Sequence, residues 1–271
     1  MSCNRIDLPL DERNLSHVLT ALSFAGLAAK AAGVSTTSQC WWSDDGFVIS
    51  TPTDQATLLA KADGLARSLR WVPALGKVHE GVIAAECMLG INPVASLAGA
   101  DDERSAFKTF AGRLRPALDL LPKQVAVLAP PLADESTRWL LQTARGVSSW
   151  GWDSCVGSHN YDLGISSDAE GTADFAPIHP AIELLALAGA AFFAPAQVLQ
   201  VGDSKIDYSI WTHAISTQLA PLAIARRIDG LPGRRYQTAS RGASYGKGGA
   251  YRYFPESVIA PREPHEENHN D

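Results

Sequence analysis

The sequence predicts an α+β fold, and three features lead to that prediction. Stretches in which polar and apolar residues alternate, typical of strands half-buried in a sheet, occur near both ends of the chain. Apolar and amphipathic runs that begin with capping residues, typical of helices, lie between them. Two turn-forming quartets, Ser-Asp-Asp-Gly and Gly-Asp-Ser-Lys, separate neighbouring strand candidates and predict β-hairpins. We therefore expect helices and hairpins to build the fold together.

The first seventy residues predict the order strand, helix, strand, strand, helix. The predicted strands are 5–10, 38–42 and 47–51; the first helix runs from Asn14 or Ser16 to Lys30, and the second from Thr53 or Asp54 to about Arg70. This order is most of a ferredoxin-like β-α-β-β-α-β unit. We therefore predict a ferredoxin-like half within residues 1–120.

The middle of the chain is less clearly patterned. Residues 81–89 fit a strand or a helix, 101–121 a helix, 124–128 a strand, 135–145 a helix, and 146–168 a long loop or a hairpin. We therefore predict that residues 121–175 form a loop-rich connection between two halves.

The last hundred residues repeat the mixture of helices and hairpins. The predictions are a helix from Pro180 to Phe193, a hairpin of 197–201 with 206–213, a helix over 219–227, and a hairpin of 234–238 with 250–254. Residues 176–255 are thus predicted to form a second ferredoxin-like half, followed by an acidic disordered tail over 256–271.

Length and composition place the chain in the class of soluble globular proteins. It has 271 residues, of which 46% are hydrophobic and 19% charged. Residues 1–13 show no secretory signal, and the apolar run 181–196 is shorter than the ~20 residues that span a bilayer. The four cysteines form no C-x-x-C pair, which argues against a zinc site and favours free thiols in a reducing compartment. We expect a cytoplasmic protein without a membrane partner.

The net charge of −6 conceals an uneven distribution. Taken as an average, it argues against a nucleic-acid partner. Residues 226–252, however, hold seven basic side chains and one acid, a charge of +6. Residues 256–271 carry −4 and residues 1–225 carry −8. Positive charge suitable for phosphate contact is therefore concentrated in one segment.

That basic segment contains the most informative sequence, GRRYQTASRGASYGKGGAYRYF at 233–254. Its basic residues can neutralise phosphates, its aromatic rings can stack unpaired bases at ~1–3 kcal/mol each, and its glycines permit close backbone approach. We predict contact with RNA or single-stranded DNA. The predicted contact residues are Arg234, Arg235, Tyr236, Arg241, Gly242, Tyr245, Gly246, Lys247, Gly248, Gly249, Tyr251 and Arg252.

Two other interpretations of the segment stay open. It could be a flexible surface hairpin whose Arg and Tyr side chains cover apolar surface. It could instead bind a nucleotide through exposed backbone N–H groups. A Walker site is not expected, because Lys247 is followed by Gly248 instead of Ser or Thr. No cofactor is predicted.

No catalytic or metal-binding constellation is predicted elsewhere. Acid–base cleavage of RNA would need a histidine beside both a 2′-hydroxyl and a leaving oxygen, and the sequence brings no two histidines together. The candidates are His17, His79, His179 and His213. Acidic pairs such as Asp44-Asp45 have ordinary explanations in turn chemistry, and no G-x-S-x-G nucleophile is present.

The paired tryptophans suggest packing and assembly. Trp41 and Trp42 are expected in the core. Trp150 and Trp152 lie in a Ser/Gly-rich segment, where they are harder to bury and could dock against another subunit.

Four segments together resemble a known family. They are RIDLPL…LTALSFAGLAAKAAG, HPAIELLALAGAAFF, YSIWTHAIS and RGASYGKGGAYRYF. The chain resembles a small subunit of type I CRISPR effector (Cascade-like) complexes, in the family found in subtype I-U, now called I-G. Its glycine-rich segment is similar to the G-rich loop of the repeat-associated (RAMP) superfamily, which implies ferredoxin-like, RRM-type folds and, for residues 242–249 with Arg241 and Lys247, phosphate contacts.

The resemblance implies a non-catalytic subunit of a CRISPR-Cas effector ribonucleoprotein. Such a subunit would bind guide RNA (CRISPR RNA), possibly also target DNA, and would assemble with other subunits in antiviral defence. One alternative is a metal-independent endoribonuclease that processes CRISPR RNA through a histidine such as His213. Another is a protein–protein adaptor whose basic hairpin meets an acidic partner.

Overall fold

The structure is a computed structural model, and it describes residues 3–32, 38–74, 77–84, 121–131, 136–145, 147, 177–190, 205–239, 241–245, 249–253 and 257–259. These residues form an α+β fold, as predicted. In chain order the elements are β1 (Asn4–Leu8), α1 (Leu15–Ala32), β2 (Gln39–Ser43), β3 (Gly46–Thr51), α2 (Gln55–Ser68), β4 (Arg70–Ala74), β5 (Lys77–Ala84), α3 (Leu121–Val127), α4 (Ser136–Leu140), α5 (Pro180–Ala190), β6 (Lys205–Trp211), β7 (Ile215–Ser216), a 3-10 turn (Thr217–Leu219), α6 (Ala220–Ile224), β8 (Gly233–Ala239), β9 (Arg241–Tyr245), β10 (Gly249–Tyr253) and β11 (Val258–Ile259).

A four-stranded antiparallel sheet has the order β1-β3-β2-β7. Its inner face is apolar, because alternate residues such as Ile6 and Ile49 are buried. Trp42 on β2 lies opposite Phe47 on β3, with the ring centroids 5.1 Å apart. The predicted core position of Trp42 is therefore confirmed, whereas Trp41 is partly buried beneath the Arg5 guanidinium.

Helices α1 and α5 pack against each other in the core. α5 is buried along its whole length, which explains why its apolar residues are not confined to one stripe. The Ser23 hydroxyl donates to the Leu185 carbonyl at 2.7 Å. A Cβ added at Gly189 would lie 1.8 Å from the Leu19 carbonyl oxygen, so this close approach requires glycine.

By length and composition alone, α1 could cross a membrane. However, 83% of its residues are buried inside the fold, and a core helix passes the same test. Its apolar character is therefore accounted for by packing against the sheet and α5.

Side-chain caps begin the first two helices. Asn14 Oδ1 accepts a hydrogen bond from the Ser16 backbone N–H at 3.1 Å, and Asp54 Oδ1 accepts one from the Thr57 backbone N–H at 2.8 Å. Of the alternatives that the sequence left open, Asn14 and Asp54 are the caps. The prediction that α5 begins at Pro180 is also confirmed.

A second sheet has the order β11-β8-β6, and a hydrogen bond from β6 connects it to the first sheet. β6 and β8 pair over seven residues, and at Gly233 a Cβ would lie 1.8 Å from the Ile210 carbonyl oxygen. The Trp211 indole N–H donates to the Cys40 carbonyl at 2.9 Å. The end of β6 is thereby held against β2.

The predicted hairpin of 234–238 with 250–254 is wrong in its pairing. β8 pairs with β6 and β11, and β10 pairs with β9. Pairing with β6 places Tyr236 opposite Tyr208 and Thr238 opposite Ile206, and all four residues are buried, so this pairing adds to the core. The hairpin beside the glycines is therefore a separate two-stranded ribbon.

The predicted strand at 124–128 is also wrong, because α3 covers most of these residues. Leu121, Gln124 and Leu128 are buried at spacings of three and four, the period of a helix. The predicted disordered tail is corrected at its start, since Ser257 is buried and β11 pairs with β8. Residues 81–84 belong to a strand, and the helix predicted at 135–145 is limited to α4.

A complete ferredoxin-like unit stays a prediction. The order β1-β3-β2 and the helices α1 and α2 agree with it, but β4, which follows α2, pairs with β5 in a sheet of their own. Predictions for 101–120, 148–168 and 197–201, including those for Trp150 and Trp152, lie outside the described residues.

Candidate nucleic-acid interface

The ribbon of β9 and β10 divides the predicted contact residues between two faces. Arg241 lies opposite Tyr253, Ala243 opposite Tyr251, and Tyr245 opposite Gly249. Residues opposite each other in an antiparallel pair share a face, and residues two apart along a strand do too. One face, which we call the tyrosine face, therefore carries Arg241, Ala243, Tyr245, Gly249, Tyr251 and Tyr253.

The other face of the ribbon carries small residues and one cation. Gly242 pairs with Arg252, and Ser244 pairs with Ala250. Of the predicted contacts, Gly242 and Arg252 are thus separated from the tyrosine face. Gly246, Lys247 and Gly248 join the two strands in sequence and lie outside the described residues.

Arg234, at the start of β8, is engaged within the chain. Its guanidinium lies 3.1 Å from Glu12 Oε2 and 4.0 Å from Asp44 Oδ1. The Glu12 side chain is 16% exposed, so water screens this pair less than it would screen a pair on the open surface. Arg234 thus connects β8 to the β1–α1 loop and to the β2–β3 turn.

Arg235 is engaged on the outer face of the same sheet. Its guanidinium donates to Asp207 Oδ2 at 3.0 Å, and the Gln237 amide donates to Asp207 Oδ1 at 2.8 Å. Both oxygens of Asp207 therefore accept hydrogen bonds from β8. No local motif in the sequence links Asp207 to Arg235, or Glu12 to Arg234, so neither pair is predicted from the sequence.

Tyr236 is a core residue. It is 2% exposed, its ring stacks on Tyr208 at 5.7 Å, and its hydroxyl donates to Glu12 Oε1 at 2.6 Å. Burial, and next the hydrogen bond to Glu12, raises the pKa of the Tyr236 hydroxyl above its usual value. Its ring presents no open face on which a base could stack.

A cleft of about 430 Å³ opens beside Arg234. The β1–α1 loop, the β2–β3 turn and the start of β8 form its walls. Four carboxylates and two guanidinium groups line it, from Asp11, Glu12, Asp44, Asp45, Arg13 and Arg234. The cleft is therefore acidic, unlike the ribbon.

Two of the candidate histidines have contacts within their own part of the chain. His17 is buried, and its Nδ1 accepts a hydrogen bond from the Asp11 backbone N–H at 2.9 Å. His213 is exposed after the end of β6, beside the Thr212 hydroxyl. Within the described ranges, no group of three or more His, Cys, Asp or Glu side chains is arranged to hold a metal ion.

No protein-family model matches the chain, and a search of curated proteins finds no significant match.

Proposed function

We propose that the tyrosine face of the β9–β10 ribbon binds unpaired RNA or single-stranded DNA. The observation that carries the proposal is the register of the ribbon, which puts Arg241, Tyr245, Tyr251 and Tyr253 on one face. Aromatic rings stack on unpaired bases with little sequence preference, and a neighbouring guanidinium neutralises phosphate. A surface of this composition suits a single strand better than a duplex, whose bases are already stacked.

The spacing along β10 fits two consecutive bases. Tyr251 and Tyr253 are two positions apart, which in a strand is about 6.8 Å. Arg241 lies directly across from Tyr253, so a phosphate between two stacked bases would meet a cation at that position. The ribbon thus supplies both parts of a single-strand site within five cross-strand pairs.

The basic residues of β8 are expected to contribute less to RNA binding than those of the ribbon. Arg234 and Arg235 are paired with Glu12 and Asp207, so part of the +6 charge is compensated within the fold. Tyr236 contributes to the core. The proposed interface is accordingly the ribbon, together with Lys247 between its two strands.

We further propose that the protein acts as a non-catalytic subunit of a CRISPR-Cas effector ribonucleoprotein, built on ferredoxin-like halves. The resemblance of four segments to the small-subunit family supports this assignment. Two of these segments form α1 and α5, which pack together in the core, and a third forms β6 and β7. The strand order β1-β3-β2 supports the ferredoxin-like part.

Tyrosine substitutions test the binding site. Replacing Tyr251 and Tyr253 by Ala should weaken binding to an unstructured RNA by ~1–3 kcal/mol for each base that loses its stacking partner. Replacement of both by Phe should retain most of the affinity, because the ring is kept. If the Ala and wild-type proteins bind equally, the proposed interface is wrong.

Sequencing of bound RNA tests the cellular role. The tagged protein should be purified from its native cells together with its partners, and the RNA that accompanies it should be enriched in CRISPR repeat sequence. Random cellular RNA would support a general single-strand binder, and absence of RNA would favour the adaptor. Cleavage of a repeat hairpin by the pure protein in EDTA, abolished by His213→Ala, would establish the endoribonuclease instead.

A further inference from the structure

A segment that follows the ribbon in the chain has the opposite charge. Residues 260–271, which we call the acidic segment, hold four acidic side chains and one arginine, a charge of −3. Residues 241–253, which form the ribbon and the connection between its strands, hold three basic side chains and no acid, a charge of +3. The two charges are equal and opposite, so the ribbon attracts the acidic segment of its own chain.

The structure fixes the point at which the acidic segment starts. The last described residue is Ile259 of β11, and it lies opposite Tyr236 on β8. The Ser257 backbone N–H donates to the Arg13 carbonyl at 2.8 Å, and Ser257 is buried. β9 begins at Arg241, five positions after Tyr236, which is at most ~18 Å along an extended chain. The acidic segment therefore starts near one end of the ribbon.

The acidic segment is long enough to meet the ribbon. Its twelve residues would reach ~40 Å when fully extended, and a chain of this length without packed structure has an end-to-end distance of ~20 Å. The ribbon comprises five cross-strand pairs, about 17 Å along each strand. A group tethered at such a distance has an effective concentration in the millimolar range. The segment thus competes with free ligands from a favourable position.

The acidic segment can neutralise the ribbon, but it lacks the large flat rings that suit the tyrosine face. It contains four carboxylates and no Phe, Tyr or Trp. Carboxylates pair with guanidinium groups such as that of Arg241, whereas tyrosine rings stack on bases. A ligand that supplies both phosphates and unpaired bases therefore displaces the segment more readily than a polyanion without bases.

We propose that the acidic segment occupies the ribbon when no nucleic acid is bound, and that a strand must displace it. The inference rests on the proposed function of the ribbon and adds a regulatory step at the same site. Competition from the segment lowers the affinity for every polyanion, and base stacking recovers it only for a ligand with unpaired bases. The segment thereby makes the ribbon selective for single strands over other polyanions.

The test compares two triple variants of the full chain that lose the same charge. The first neutralises carboxylates of the acidic segment: Glu263→Gln/Glu266→Gln/Glu267→Gln. The control neutralises exposed carboxylates elsewhere: Asp44→Asn/Asp45→Asn/Asp229→Asn. In fluorescence anisotropy with a labelled oligouridylate at low salt, the segment variant should bind at least about threefold more tightly than wild type, and the control should change by less than about 1.5-fold. The difference should shrink as salt rises, because salt screens the charges.

Two further measurements separate a contact at the ribbon from a general charge effect. Heparin, a polyanion without bases, should inhibit RNA binding more strongly in the segment variant than in wild type. In the free ¹⁵N-labelled protein, the backbone N–H resonances of Arg241 and Tyr253 should differ between wild type and the segment variant, but not between wild type and the control.

Three results would overturn the inference: equal RNA affinity of wild type and the segment variant, an equal gain in the control, or unchanged resonances of the ribbon. RNA binding that persists and is lost in Tyr251→Ala/Tyr253→Ala would leave the proposed function intact in each of these cases. If none of the proteins binds RNA, the proposed function itself fails, and the competition fails with it.

Discussion

The hydroxyl of Tyr236 donates a 2.6 Å hydrogen bond to the carboxylate of Glu12, although 224 positions separate the two residues. Tyr208, which stacks on Tyr236, donates from its own hydroxyl to the backbone carbonyl of Glu12 at 2.9 Å. Two adjacent strands of the second sheet thus hold the loop that follows β1. Glu12 in turn pairs with Arg234, so the same loop fixes one side of the acidic cleft.

Removal of the Tyr236 hydroxyl should destabilise the fold. Tyr236→Phe keeps the ring and its stacking but leaves a partly buried carboxylate oxygen without its donor, so we expect a loss of ~1–3 kcal/mol in the free energy of unfolding. Urea denaturation measures it. The double variant Tyr236→Phe/Glu12→Gln should lose less than the sum of the single changes. Strict additivity would mean that the two side chains do not interact.

A glycine pair tests the packing of α1 against α5. Gly189→Ala places a methyl group 1.8 Å from the Leu19 carbonyl oxygen, and the helices must separate to accommodate it. We expect a loss of at least ~1–3 kcal/mol. Gly64→Ala, in α2, has no atom within 4 Å of the new Cβ and should instead stabilise the protein by ~0.5–1 kcal/mol. Equal effects of the two changes in thermal denaturation would contradict the packing described.

The Asp54 cap should make α2 sensitive to acid. Hydrogen bonds from the Thr57 backbone and side chain lower the pKa of the Asp54 carboxyl. Because the folded-state pKa is below the unfolded one, the carboxylate contributes stability above the unfolded pKa and loses it as the pH falls through the folded pKa. The difference in unfolding free energy between wild type and Asp54→Ala should therefore be largest at neutral pH and shrink below about pH 4. A difference that does not change between pH 7 and pH 2 would show that the charge of the cap has no role.

The arginines of β8 should matter less for RNA than Arg241. Arg234 and Arg235 are already paired with carboxylates, so Arg234→Ala and Arg235→Ala should change the affinity for single-stranded RNA by no more than about twofold. Arg241→Ala should have the larger effect. Fluorescence anisotropy with a labelled oligonucleotide measures all three. A greater loss in Arg235→Ala than in Arg241→Ala would move the interface from the ribbon to β8.

Local patterns predicted the N-terminal sheet and the main helices because their causes are local. The alternation over β1 and the turn at Asp44-Asp45 lie within a few residues, and so do the Asp54 cap and the Pro180 start. The strand predicted at 124–128 is wrong because this short apolar run is compatible with the period of a strand and with that of a helix. Burial of Leu121 and Gln124 decides for the helix, and that burial depends on packing against α5.

The candidate site could be predicted only in part, because charge along a sequence does not show which charges are paired. The glycine-rich ribbon is visible as a composition, and its two strands lie next to each other in the chain. The sequence does not show which carboxylates pair with Arg234 and Arg235. Glu12 is 222 residues from Arg234, and Asp207 lies on β6, which pairs with the strand that carries Arg235. The pairing of β8 with β6, which the sequence does not predict, places Asp207 beside Arg235 and Tyr208 beside Tyr236.

The salt dependence of RNA binding tests the central claim most directly. We expect the affinity of the wild-type protein for an unstructured RNA to fall steeply between 50 and 200 mM salt, roughly as phosphate neutralisation requires. Arg241→Ala should reduce the slope of log affinity against log salt by about 0.7, the value for one phosphate contact on a single strand. Lys61→Ala, which removes an exposed cation from α2, should leave the slope unchanged. Identical slopes for Arg241→Ala and Lys61→Ala would contradict the assignment of the ribbon as the nucleic-acid interface.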